Sequence, residues 1–141
     1  FADLGIALSR GFRALKVWFA LQEHGAARLG ESIEQNVALA QRLGGLVESD
    51  PAFALAAPVS LNIVCFRPLA ARAAADPDRY VESLAERVAD DGDAVFSTTS
   101  IGGRRALRAC IVNHRTRERD LTIALAAVRR AAAALAADAT P

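Results

Sequence analysis

The sequence contains no methionine and a single lysine, Lys16; the rest of its positive charge is arginine. A chain that begins at Phe1 without a start residue is expected to be a piece of something longer. It has only two cysteines. Cys65 and Cys110 each sit inside an apolar run, which excludes a disulfide framework and a CxxC zinc spacing and suggests reduced core thiols in the cytoplasm. The longest uncharged stretch, Pro51 to Phe66, is interrupted by Pro58 and falls short of the ~20 residues a membrane-spanning helix needs. A secretory leader pattern is absent as well. Aromatic residues make up only 6% of the chain and the net charge is +1, so the chain is not a strongly basic one.

What is present is apolar: 52% of 141 residues are hydrophobic, with alanine filling much of that share. Disorder is excluded, and the length suits one core. Residues 1 to 11 lack a period and read as an extended entering segment. Phe12, Leu15 and Phe19, widened by Val17 and Trp18, then predict a helix over Phe12 to His24 that Gly25 ends. Leu29, Ile33, Val37, Ala40 and Val47 continue a second stripe, weakened by Gly44-Gly45 and stopped at Ser49-Asp50-Pro51.

Beyond residue 50 the pattern changes. Short strands are expected at Phe53 to Ala57, Val59 to Arg67, Ala94 to Ser100 and Arg105 to Asn113, the last two joined through Gly102-Gly103. In the fourth, Ala106, Arg108, Cys110 and Val112 share one face. Asp76-Pro77 predicts a capped helix start, with Val81, Leu84 and Val88 as its stripe, ending near Asp91-Gly92. Thr116 is expected to cap a last helix striped by Leu121, Leu125, Val128 and Leu135. The reading is an α+β fold: an antiparallel four-stranded sheet with helices on one face, over residues 51–141, preceded by two linking helices over residues 1–50. Those first helices expose a Phe12/Leu15/Phe19 stripe that must be buried against another domain or a second copy.

The sequence offers no self-contained active site. His24 and His114 read as surface or cap histidines. Asp90, Asp91 and Asp93 read as a solvated turn, since calcium-loop spacing is missing, and no metal site is expected. Lys16 invites a Schiff-base reading, but a lysine stem laid along a helix is the better one. Arg108, mid-strand, is either buried and paired or aimed at an anion such as a carboxylate. The arginines at 104, 105, 108, 115, 117 and 119 could meet phosphates, but only Phe96 lies near to stack on bases, so nucleic acid is not the expected partner.

The run Leu8-Ser9-Arg10-Gly11-Phe12-Arg13-Ala14-Leu15-Lys16-Val17-Trp18-Phe19 resembles the opening of the C-terminal part of the group II pyridoxal-phosphate-dependent amino-acid decarboxylases. These include the aromatic-amino-acid, histidine and glutamate decarboxylases. The likeness continues through Gly25, through Asn62-Ile63-Val64-Cys65-Phe66-Arg67 and through Leu107-Arg108-Ala109-Cys110-Ile111-Val112-Asn113, in order. Gly11 departs from the arginine usual in the animal enzymes.

The resemblance implies the small C-terminal domain of a homodimeric fold-type I lyase. Its pyridoxal phosphate and Schiff-base lysine would belong to an upstream N-terminal domain, and the fragment alone would be inactive. It further implies that Ser9 faces the neighbouring subunit's active site and helps choose the amino-acid substrate. Arg108 is similar to a strand arginine that clamps the substrate carboxylate. The chain would supply site walls and dimer contacts while an L-amino acid loses its carboxylate as carbon dioxide. The rival reading is a free-standing α+β module that binds a small ligand or regulates.

Overall fold

A computed structural model describes residues 11–138, which fall into two compact units divided between Ser32 and Ile33. Ser9 and the entering segment over residues 1–10 lie outside the described residues. Helix α1 runs Arg13–Ser49, but Gly25 (φ 76°, ψ 154°) is not helical and breaks it where the sequence places a stop. In the first unit the predicted stripe is exposed: Phe12, Trp18 and Phe19 are all more than half open to solvent. The Trp18 and Phe19 rings meet edge to face, 5.1 Å between centroids.

The second unit is the α+β layer the sequence predicts. After α1 come β1 (Phe53–Leu55), β2 (Ile63–Pro68), a 3-10 turn over Leu69–Ala73, α2 (Pro77–Asp91), β3 (Ser97–Ile101), β4 (Arg104–Cys110) and α3 (Glu118–Asp138). The four strands form one antiparallel sheet in the order β1-β2-β4-β3.

Local chemistry explains the boundaries. The Asp76 carboxylate accepts from the Asp78 and Arg79 amides and caps α2, Pro77 opens it, and left-handed Gly92 (φ 80°) closes it. Gly102 and Gly103 both have positive φ (58° and 71°), as a tight β3–β4 hairpin requires. All four strands differ in extent from the expectation, β4 running Arg104–Cys110 instead of reaching Asn113. β1 stops at Leu55, and β2 begins only at Ile63, because the chain first turns at Ser60–Ile63 through Leu61 in the left-handed region (φ 50°). β3 starts at Ser97 rather than Ala94. The last helix begins at Glu118, past Thr116. Its entry is organised instead by Asp120, which accepts the Arg117 amide at 2.8 Å, and by the Arg117 guanidinium on the His114 and Thr116 carbonyls.

One sheet face carries the core. Val64, Phe66, Leu107 and Ala109 point to it, and Phe66 is fully buried between Phe53 and Phe96 in edge-to-face pairs at 5.5 and 5.6 Å. Val81, Leu84 and Val88 of α2, Val128 of α3, and Leu43 and Val47 of α1 complete it. Burying each such side chain contributes about 1.5–3 kcal/mol. Gly44 has a specific reason: a Cβ there would stand 2.5 Å from Val59 Cγ2. The end of α1 is tied to α3 by Asp50. One oxygen of its buried carboxylate accepts the Ala52 amide at 3.0 Å and the other pairs with the Arg129 guanidinium.

Candidate functional site

Strand alternation sends every second residue of β2 and β4 to the face that no helix covers. That open face carries Ile63, Cys65 and Arg67 from β2, with Arg108 and Cys110 from β4. Arg108 stands in the middle of it. Cys65 is its registered neighbour on one side and Ser97 of β3 on the other.

The surroundings of Arg108 bear on the two alternatives left open for it. Its side chain is exposed and, among the described residues, meets no carboxylate. Its Nε donates to Ser97 Oγ at 3.0 Å, and the Ser97 hydroxyl donates back to the Arg108 carbonyl at 3.3 Å. The hydroxyl fixes one edge of the guanidinium and leaves the terminal amines for a carboxylate, which a planar fork can grip in two places. Ser97 was not singled out by sequence reasoning; its signal was the β3–β4 register, which only the hairpin supplies.

Cys65 is half-buried beside this arginine. Burial pushes its thiol above the usual range, and Cys110 adds to that, while Arg108 and Arg67 pull the other way. The net direction is upward, so the group is a neutral thiol at pH 7 rather than a nucleophile.

Arg67, also unassigned from the sequence, does something different. Its Nε donates to the Arg105 carbonyl at 2.8 Å, and Nη2 to the carbonyls of Ile101 (2.7 Å) and Arg104 (3.0 Å). It clamps the β3–β4 turn from β2 and reaches across beside Ala106, the one residue of the open face that is fully buried.

Of the remaining candidates, His114 is exposed on the loop before α3, and Lys16 and His24 are exposed on the part of α1 that belongs to the first unit. Asp93 pairs with Arg130, so the acidic turn at the end of α2 serves as a tie to α3. Among the described residues no group of three or more histidine, cysteine or acidic side chains could hold a metal ion, and no helix is long and apolar enough to cross a membrane.

The chain is similar to known proteins over most of its length. The model of the pyridoxal-dependent decarboxylase conserved domain matches residues 1–69. The chain is 40% identical over 116 residues to tyrosine decarboxylase 4 of Petroselinum crispum, covering 79% of this chain and 23% of that protein. It is 35% identical over 114 residues to tryptophan decarboxylase 1 of Oryza sativa subsp. japonica, covering 77% of this chain and 22% of that protein. Among solved structures, Oryza sativa TDC with PLP and tryptamine superposes with a TM-score of 0.79 at 30% identity, over 96% of this chain and 29% of that one. The chain thus spans less than a third of the length of these relatives. With its family match, its relatives and its fold in agreement, the chain belongs to the pyridoxal-dependent decarboxylase family.

Proposed function

We propose that this chain is the C-terminal part of a pyridoxal-phosphate-dependent carboxy-lyase that removes the carboxylate of an aromatic L-amino acid as carbon dioxide. The observation that carries the reading is Arg108: an exposed strand arginine, oriented by Ser97, on the one sheet face left without helices. The names of the relatives, tryptophan and tyrosine decarboxylases, support an aromatic side chain on the substrate.

The residues present do not themselves form a pyridoxal phosphate site. Lys16 is the chain's sole lysine and stands exposed on α1. The Schiff-base lysine therefore belongs to an N-terminal domain of the same protein, and these 141 residues alone are inactive. The role of this part is binding and orientation. Arg108 holds a substrate carboxylate by its terminal amines while Ser97 keeps the guanidinium from swinging. Ser9, which lies outside the described residues, is proposed from the family resemblance alone to help select the substrate side chain.

A homodimer accounts for the exposed Phe12, Trp18 and Phe19 surface, which a second copy or the missing domain covers. Two free cysteines suit a reducing compartment, and the cytoplasm is the proposed location.

The test is direct. The full-length protein, supplied with pyridoxal phosphate, is offered L-tryptophan, L-tyrosine, L-histidine and L-glutamate, and carbon dioxide and amine are measured. Release from the aromatic substrates, with the long-wavelength absorbance of bound cofactor, is the expected result. Absence of release from all four, together with small-metabolite binding by residues 1–141 unaided, would overturn it in favour of a free-standing regulatory module.

A further inference from the structure

A concavity lies where β2 runs into the 3-10 turn and meets the first turn of α2 and the start of β4. It encloses about 380 Å³ and is lined by Arg67, Arg72, Arg104 and Arg105, with Asp78 as its sole acidic lining residue. The size is that of a small-molecule site.

The charges in it are unevenly spent. Arg105 pairs with Glu82 at 2.9 Å, and its amide donates to Asp78 Oδ1 at 2.8 Å, which leaves the Asp78 charge as the one counter-charge in the lining itself. Arg67 spends Nε and Nη2 on carbonyls, which satisfy its donors but do not neutralise its charge. Arg72 and Arg104 have no ion pair among the described residues. The crowding shows in Arg67, held below its usual range first by burial and then by the positive charge of Arg104, with Asp78 opposing.

The α2 terminus is not the source of this field, because Asp76 already takes its free amides. Leu55, Leu69 and Val81 add apolar surface to the lining. Several guanidinium forks in one partly apolar pocket, short of counter-charge, are the chemistry that recognises a compact anion with several oxygens.

We propose that this pocket binds a small polyanion bearing phosphate or carboxylate groups, with Arg72 and Arg104 as its mobile grips and Arg67 and Arg105 as its anchored wall. The proposal does not depend on the decarboxylase reading. Nor is this the Arg108 site: Arg67 donates to the hairpin turn, whereas Arg108 is tied to Ser97 at the middle of the sheet.

The experiment titrates pyrophosphate, and separately citrate, into the full-length protein by calorimetry at low ionic strength. The protein is first saturated with pyridoxal phosphate so that the cofactor's own phosphate site is filled. Amine release from L-tryptophan or L-tyrosine added to a parallel aliquot reports the decarboxylase reading independently. Saturable binding is expected, and the Arg72→Gln/Arg104→Gln variant weakens it by at least about tenfold, a loss of the size carried by charge-assisted hydrogen bonds. An Arg115→Gln/Arg119→Gln variant, with the same change in net charge elsewhere, retains the affinity. Binding of pyrophosphate alone assigns a phosphoryl ligand; binding of both probes assigns the broader class. No saturable event with either probe, or equal affinity in the Arg72/Arg104 variant, overturns the proposal. Should the double variant fail to fold, Arg104→Gln alone, at an exposed hairpin position, carries the same comparison.

Discussion

The two faces of one sheet are built from alternate residues of the same strands, yet they have opposite characters. On β4, Leu107 and Ala109 are buried while Arg108 and Cys110 between and beside them are exposed. On β2, Val64 and Phe66 are buried while Ile63 and Cys65 are more open. The packed face is aliphatic and aromatic and closes on three helices. The open face keeps two thiols, a serine and the arginines at 67 and 108, and no helix covers it. Stability belongs to the first and the proposed recognition to the second, and the account expects the two to be separable by substitution even at adjacent positions.

The largest expected effect is on the packed face. Phe66→Ala removes the ring that joins Phe53 to Phe96 and should cost about 3–5 kcal/mol in chemical denaturation. Gly44→Leu forces a side chain into the space of Val59 and should cost about 1–3 kcal/mol. Asp50→Asn breaks the tie to Arg129 and should cost about 1–3 kcal/mol at neutral pH. Burial alone would raise the Asp50 carboxyl. The Ala52 amide, then the Arg129 hydrogen bond and charge, outweigh it and hold it below the usual range. A lowered folded value means the contribution is present above the unfolded carboxylate value of about 4 and is lost as pH falls through the folded value. Acid titration of stability should therefore be shallower in Asp50→Asn than in the wild type; identical profiles would remove Asp50 from the account. The smallest stability effect is expected on the open face: Arg108→Ala should change it by no more than about 0.5 kcal/mol. Separately, Ser9→Gly should change which amino acid is preferred, and an unaltered substrate ranking would take Ser9 out of the site.

The parts of this fold that were legible before any coordinates are those with local causes. Asp76-Pro77, Gly92 and Gly102-Gly103 act through their own φ angles and neighbouring amides. The alternation on β4 follows from a period of two over consecutive residues. The illegible parts depend on residues far apart in the chain. Thr116 looked like a cap, but the entry to α3 is organised by Asp120 and Arg117. The first residues of the expected second strand turn instead of extending, because Leu61 adopts a conformation few side chains favour. Gly44 read as a weak point in a helix, whereas Val59 approaches it from a loop. Arg67 lay within a recognised motif, but its three carbonyl partners lie 34 to 38 residues away. Arg108 was visible as a choice between two roles, and only the Ser97 register resolved its surroundings.

The separation of the two faces is tested most directly at Arg108, by measuring kcat/KM and melting temperature together for Arg108→Ala in the full-length, cofactor-supplied protein. The account predicts kcat/KM lower by at least about tenfold, the loss of a charge-assisted carboxylate contact, with a melting temperature within about 2 °C of the wild type. Unchanged kinetics with a clearly lowered melting temperature would contradict it and make Arg108 a structural residue.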